Sequence, residues 1–363
     1  MVQLSRVVEA LEEIAPTANA EEWDNVGLLV GDASQSVSKA ILAIDYTPEV
    51  AAEAERLHCD LVVAYHPPIF SGLKRVTGPG VIYDAVRKGV AIYSPHTALD
   101  VADGGTNDML ADLLGLEDRR PLRLIQPKAN TLKLVTFVPE NDLERISEAL
   151  FNAGAGIIGN YSQCSFRSPG TGTFFGEEGT DPAVGESGHL EKAHEIRIET
   201  VVAMNKVADV IAALRKAHPY EEPAFDLQQL AAAPTGLGQG RIGKVAGTDR
   251  QALFAQIKRE LELDRLLIAG PLRGPVNRAA CCAGACGEFL NDALTQKCDL
   301  YLTGEIRHHD AIKAANAGMT VVCTLHSNSE RRVLKRLGEK LKDKVGELEI
   351  VISALDRDPF AVT

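Results

Sequence analysis

An α/β fold carrying an inserted α+β module is what this sequence predicts, and three observations predict it. Apolar, β-branched strands alternate with amphipathic helices at both ends of the chain. The middle carries another order, read as β-α-β-β-α-β, the ferredoxin-like split unit. A weak internal repeat then ties the two ends together: Cys59-Asp60-Leu61-Val62-Val63 parallels Cys298-Asp299-Leu300-Tyr301-Leu302. Each of these is followed by a helix, a glycine (Gly89, Gly318), a strand and a histidine (His96, His326). Four residues past each histidine stands a carboxylate, Asp100 or Glu330. The expected division is 1–127 and 242–363 for the two related halves of one α/β domain, and 128–241 for the insert. Two related halves that face each other bring their strand ends to one cleft, where open α/β sheets place their chemistry.

The elements follow in order. Leu4, Val7, Val8, Leu11 and Ile14 share one face of a first helix, so the N-terminus reads as an amphipathic helix and not a signal peptide. Trp23-Asp24-Asn25 reads as a loop entering a short strand. Lys39–Asp45, Asp60–Ala64 and Val90–Tyr93 are strands, Pro48–His58 and Val81–Lys88 helices, and a helix from Gly104 runs to Leu114. This alternation predicts a largely parallel sheet. Composition changes after Arg119-Arg120-Pro121. The insert then reads as strand 132–138, helix 140–153, a long stretch with Gly, Ser and Phe, strand 195–204, helix 207–216 and strand 224–230. Residues 231–236 read as a linker. Beyond it, helices 251–261, 288–297, 310–317 and 329–342 alternate with strands 279–283, 299–302, 320–325 and 349–353.

Composition narrows the function. The 363 residues are 45% hydrophobic and 24% charged, ordinary for a globular chain long enough for two domains. A formal net charge of −12 argues against a general binder of nucleic acid or anionic membranes, which needs basic surface. No apolar run reaches the roughly 18–20 residues of a membrane span. Seven cysteines without a regular framework point to a reduced, cytoplasmic chain.

His66, Asp100, His326 and Glu330 all lie just past expected strands, with His96 nearby. Imidazoles and carboxylates together suit zinc, iron or manganese better than magnesium or calcium. The plainer reading makes His66 and His96 turn residues beside prolines and Asp100 a helix cap. A cap at Ser327 or Asn328 would bring His326 and Glu330 together. Glu305 and His308, after another strand, read as groups supporting the ligands or contacting substrate. Gly238-Gln239-Gly240-Arg241-Ile242-Gly243 matches a dinucleotide fingerprint in letters only, since it follows a linker and opens no helix. No phosphate loop is present. Cys281, Cys282 and Cys286 read as buried small hydrophobes before a thiolate site, with Cys281 and Cys282 on opposite faces of a strand. His218-Pro219-Tyr220-Glu221-Glu222-Pro223 reads as a rigid turn whose acids could line an oligomer surface.

Trp23-Asp24-Asn25-Val26-Gly27-Leu28, His66-Pro67, His96-Thr97-x-x-Asp100, Thr303-Gly304-Glu305 and His326-x-x-x-Glu330 together resemble the GTP cyclohydrolase I type 2 family, also known as the NGG-interacting-factor-three-like family. The insert, with Gly154-Ala155-Gly156-x-x-Gly159-Asn160-Tyr161-x-x-Cys164 and the 218–223 motif, is similar to that of the longer bacterial members, a CutA/PII-like module. The resemblance implies a dinuclear metal site within a toroidal homohexamer. It implies that His66 and Asp100 hold one metal, that His326 holds the other and that Glu330 bridges them. The family's further histidine just before His66 is Tyr65 here, and a phenol with a pKa of about 10 is a poor ligand near pH 7. The usual glycine before the late histidine is Leu325. The family name also implies attack of metal-activated water on a purine ring of GTP, with a small nucleotide or phosphoester as the expected substrate class, Glu330 bridging or orienting that water and His96 or Glu305 shuttling protons. Two other readings stay open: a metal-binding or metal-delivery protein or oligomeric regulatory scaffold without turnover, and a metal-free α/β protein.

Overall fold

The computed structural model describes residues 1–125, 130–231 and 235–361. The chain divides into two compact units, Met1–Ile125 with Gly236–Thr363, and Gln126–Thr235. The expected boundary at 127/128 and residues 232–234 of the expected linker lie outside the described residues.

The unit built from both chain ends contains two large sheets. In the first, strands lie in the order Glu349–Ile352, Lys39–Ala43, Leu61–Ala64, Ala91–Ser94, Gly27–Val30. The first four are parallel and the last is antiparallel. In the second, the order is Leu267–Ala269, Thr320–Cys323, Leu300–Thr303, Pro275–Cys282, Gly238–Asp249, Glu117–Leu124. Only the Thr320–Cys323, Leu300–Thr303 and Pro275–Cys282 strands run parallel there. The first sheet is largely parallel, as the alternation predicts, while the second is mixed, with a parallel centre between antiparallel strands. Strand–helix alternation specifies that centre, whereas an antiparallel edge needs no crossover helix to announce it.

Strand residues alternate between two apolar layers, as a pleated strand requires. Ala40, Leu42, Val63 and Tyr93 of the first sheet, and Ala279, Cys281, Leu302 and Val322 of the second, share one core. Leu4, Leu11, Leu110, Leu253 and Leu337, from helices lying between the sheets, complete it. The outward residues Ile41, Val62 and Ile92 pack on Val50 and Ala85, and Ala280, Cys282 and Tyr301 pack on Leu290 and Ala314. Thr47 caps the helix Pro48–Arg56 through its Oγ1, and Gly89, at φ +70°, closes Val81–Lys88.

Besides short strands such as Leu267–Ala269, two long strands escape the sequence reading. Glu117–Leu124 is charged and contains Pro121, which is how an edge strand looks. Gly238–Asp249, expected as mere chain re-entry, is a strand between two antiparallel partners, and the expected boundary at 241/242 falls inside it. A Cβ at Gly238 would come within 2.1 Å of the Arg123 carbonyl oxygen, so glycine there answers close backbone approach and not a dinucleotide.

The other unit is a four-stranded antiparallel sheet in the order Phe225–Gln229, Thr131–Pro139, Leu190–Ala203, Ser165–Phe175. Helices Leu143–Asn152 and Val207–Ala217 cover one face, burying Ile146, Leu150, Val210 and Leu214 on Leu134, Val138, Ile198 and Val202. This is the strand order of the split β-α-β unit. The stretch with Gly, Ser and Phe supplies its second strand. Among the described residues no helix is long and apolar enough to cross a membrane.

Candidate metal centre

Parallel register delivers the first set of side chains. Ala43 pairs with Ala64 and Val63 with Tyr93, so Asp45, Tyr65-His66 and His96 emerge from three neighbouring strand ends. The second sheet repeats the device. Cys282, Thr303 and Cys323 lie in register, and Gly284, Glu305 and His326 follow them. The expected helix cap at Ser327 or Asn328 does not form. Ser327–Ser329 is a short 3-10 turn, no side chain caps it, and the long helix begins only at Val333. That turn still carries Glu330 back to His326.

His66, His326 and Glu330 converge, with a ligand atom from each within 4.8 Å of the others. His66 Nε2 lies 3.4 Å from Glu330 Oε2, and His326 Nε2 lies 3.3 Å from Glu330 Oε1. His66 Nε2 and Glu330 Oε2 are buried, yet neither has a hydrogen-bond partner. Each Nδ1 is taken by a carboxylate: His66 donates to Asp45 at 3.0 Å and His326 to Glu305 at 2.8 Å. Carboxylates so placed fix the ring tautomer and leave Nε2 facing the centre, as in carboxylate–histidine–metal triads. Two histidines and one glutamate form a donor set that suits zinc. The orphaned buried atoms and the prepared tautomers fit a divalent ion.

Of the other expected site residues, His96 lies beside this group. Its ring centroid is 5.2 Å from that of His66, and its Nδ1 donates to Asp24 at 2.8 Å. Asp24 also accepts from the Thr97 hydroxyl and amide, and Trp23 meets the His96 ring edge-on at 5.9 Å. Asp100, on the helix His96–Val101, is hydrogen-bonded by the buried phenol of Tyr65. It stands outside the three-residue group. Tyr65 points into the central layer because strand alternation sends it there, and Thr106 Oγ1 lies 3.3 Å from its hydroxyl. Glu305 accepts from His326 Nδ1 at 2.8 Å. His308 opens the helix His308–Asn316, its ring 5.5 Å from that of His309.

Sequence reasoning missed Asp24 and Asp45 as partners of the histidines. Asp45 carried the available signal, an acidic residue ending a strand beside the His66 strand. Gly284 was missed too. At φ +75°, its would-be Cβ lies 2.8 Å from Glu330 Oε1, so glycine lets the loop pass against the carboxylate.

Without metal, the charges polarise one another. Burial works against the His66 imidazolium, but Asp45 and Glu330 outweigh it and hold the ring up at about 10. Glu330 holds His326 up at about 9 against burial. Burial alone would raise Glu330, yet the two histidines keep it below the ordinary carboxylate range. Burial lifts Asp100 to about 6 despite the Tyr65 hydrogen bond.

The model of the Duf34/NIF3 (NGG1p interacting factor 3) family matches residues 2–359. The chain belongs to this family. A Halalkalibacterium halodurans protein named GTP cyclohydrolase 1 type 2 homolog is 37% identical over 364 residues, which are 98% of this chain and 97% of that one. A Bacillus subtilis protein of the same name is 34% identical over 363 residues, again 98% and 97% of the two chains. The crystal structure of a Bacillus cereus protein related to NIF3 superposes with a TM-score of 0.66 at 34% identity, covering 99% of each chain. Across this family span His66, His326 and Glu330 come from both ends of the sequence.

Proposed function

We propose that this Duf34/NIF3 member binds a divalent metal ion through His66, His326 and Glu330 and is a metal-dependent hydrolase acting on a small nucleotide or phosphoester. The observation that supports it most is the pair of buried atoms, His66 Nε2 and Glu330 Oε2, facing each other at 3.4 Å without a hydrogen bond. Buried polar atoms are left open in this way where another group completes them. Bound there, the ion would supply a Lewis acid able to lower the pKa of water from about 15.7 to near 7. The chain's own residues do the rest. Asp45 and Glu305 hold the two imidazoles with Nε2 inward. Glu330 lends the charge that both rings face. His96, fixed by Asp24, and the half-exposed Glu305 are placed to carry protons at the rim. GTP is the first substrate to try, because relatives carry its cyclohydrolase in their names. The insert is a CutA/PII-like module in this reading, and the assembly a cytoplasmic homohexamer.

One observation favours the alternative of metal binding or delivery without turnover. The Tyr65 phenol engages Asp100, the residue expected to hold a metal with His66. With Asp100 engaged, one ion per chain is expected, where the resemblance implies two.

The test is metal analysis of protein purified without added metal, followed by incubation with GTP and simple phosphoesters. Turnover that disappears in Glu330→Ala while the fold persists supports the hydrolase. Stoichiometric metal with no turnover supports the alternative. No metal before or after zinc addition overturns both. In Tyr65→His the metal content should rise toward two per chain, and an unchanged content refutes the account of the second position.

A further inference from the structure

Cys282 and Cys286 have no part in the proposed chemistry, yet their sulfurs lie 2.9 Å apart. All seven cysteines are free thiols. Two thiols at that separation are closer than sulfur van der Waals contact and about 0.9 Å short of a covalent bond of roughly 2.05 Å. Cys282 ends the strand Pro275–Cys282 and is buried, whereas Cys286 is half-buried, its thiol donating to the Ala283 carbonyl oxygen at 2.8 Å. Cys281 is directed to the opposite face of the strand, with its sulfur 3.6 Å from the Asn107 carbonyl oxygen, and takes no part.

Between the two thiols lies Gly284, which faces Glu330 and His326 of the candidate metal centre. Ala283 N–H donates to Asn107 Oδ1 at 3.0 Å, and Gly284 N–H donates to Ser329 Oγ at 2.8 Å. Gly284 C=O accepts from the amides of Gly304 and Glu305 and from the Thr303 hydroxyl. Ser329 Oγ in turn donates to the His326 carbonyl oxygen at 2.7 Å. The loop is thus tied to the segments bearing Glu305, His326 and Glu330, and it passes Glu330 Oε1 closely enough that a Cβ on Gly284 would come within 2.8 Å of it.

We propose that Cys282 and Cys286 are a redox-active dithiol that closes reversibly to a disulfide and thereby alters the adjoining His66–His326–Glu330 centre. With a hydroperoxide as oxidant, the Cys286 thiolate attacks the O–O bond and becomes a sulfenic acid, releasing hydroxide or alcohol. The Cys282 sulfur then attacks the Cys286 sulfur, the S–O bond breaks, and water leaves with the Cys282 proton. Two thiols are oxidised by two electrons and one peroxide is reduced. A cellular dithiol reverses the step by exchange. Closing the ring draws the 283–285 loop and shifts its hydrogen bonds to the centre. Such a change beside metal ligands is expected to weaken zinc binding on the order of tenfold. The disulfide part stands on the thiol geometry alone, and the effect on zinc rests on the proposed metal reading.

The experiment uses the full chain in a Cys164→Ser background, which removes the partly exposed thiol outside this unit. The protein is treated with hydrogen peroxide, and the remaining thiols are alkylated and mapped by mass spectrometry. The expected result is loss of two hydrogens, located to a Cys282–Cys286 link, reversed by dithiothreitol and absent in Cys286→Ser. Equal alkylation of Cys282 and Cys286 before and after peroxide, or sulfinic acid at Cys286 without a link, overturns the disulfide. Zinc affinity is then measured on the reduced and linked forms. Equal affinities overturn the coupling to the centre. Absence of zinc binding in the reduced form overturns the metal reading instead, and with it the coupling, while a mapped link still supports the dithiol. Cys282→Ala, with its melting temperature recorded, checks that loss of the link does not come from unfolding.

Discussion

Replacing Glu330 by glutamine removes the charge that both inward-facing imidazoles share while preserving the shape of a side chain that is only 3% exposed. In metal-free protein, His66 is held at about 10 against an ordinary value of 6.5. A group raised on folding contributes stability that is fully present below its unfolded pKa and is lost as the pH rises through its folded one. For His66 the window runs from about pH 6.5 to about pH 10. At pH 7 the proton on His66 is linked to about 4 kcal/mol of stability, about 1.4 kcal/mol for each pH unit below 10. Asp45 and Glu330 share that effect, so Glu330→Gln should cost about 2 kcal/mol at pH 7. His326 adds less, because solvent screens its more exposed side chain. Above pH 10 both rings are neutral in the wild type, and the cost should close or reverse, since the wild type then buries an uncompensated carboxylate. The assay is urea unfolding in a chelator at pH 7 and pH 10.5. It is followed by the fluorescence of Trp23, the single tryptophan, whose ring lies against His96. An equal loss at both pH values would refute the argument that Glu330 and His66 are electrostatically linked.

The same protons compete with metal for Nε2. Zinc affinity should therefore strengthen as pH rises from 6 toward 9, with about two protons released per ion, measurable by calorimetry in buffers of different ionisation enthalpy; no proton release would count against His66 and His326 as ligands. Gly284→Ala places a Cβ 2.8 Å from Glu330 Oε1 at φ +75°. It should lower stability by about 1–3 kcal/mol and weaken zinc binding, read by thermal melts with and without zinc. Arg241 Nε meets Asp108 Oδ1 at 2.5 Å in a buried pair that joins the two chain ends. Arg241→Met leaves the buried Asp108 with the Gly104 amide at 2.7 Å and the more distant Arg119 at 3.9 Å and should cost about 3 kcal/mol in urea unfolding; a change below 1 kcal/mol would show that Arg119 and the Gly104 amide compensate the carboxylate by themselves.

Much of this protein is legible in its residues. Local pattern is enough for a strand such as Leu61–Ala64 or Thr320–Cys323, because a buried parallel strand must be a continuous apolar run. The repeat around Cys59 and Cys298 indicated two related halves for the same reason. Chemistry-bearing residues just past strand ends followed from it, and His66, His326 and Glu330 do meet. The sequence could not reveal the polar edge strand Glu117–Leu124, whose charges face away from any core, or the Gly238–Asp249 strand, whose glycines disguise it as a loop.

What the sequence by itself determined is the family, the α/β alternation and the residue types gathered at the strand ends, all of which are local or nearly local properties. What only the tertiary structure decided is which groups touch. Asp45 reaches His66 from 21 residues away and Asp24 reaches His96 from 72, through strand register that no single segment encodes. Tyr65 turns from an isolated substitution into the partner of Asp100 because strand alternation aims it into the central layer. The 2.9 Å contact of Cys282 with Cys286 depends on how the chain turns after its strand, and the small space between Gly284 and Glu330, too tight for a Cβ, depends on how the neighbouring loops meet. Packing sets such distances to a fraction of an ångström, and sequence spacing does not carry that information.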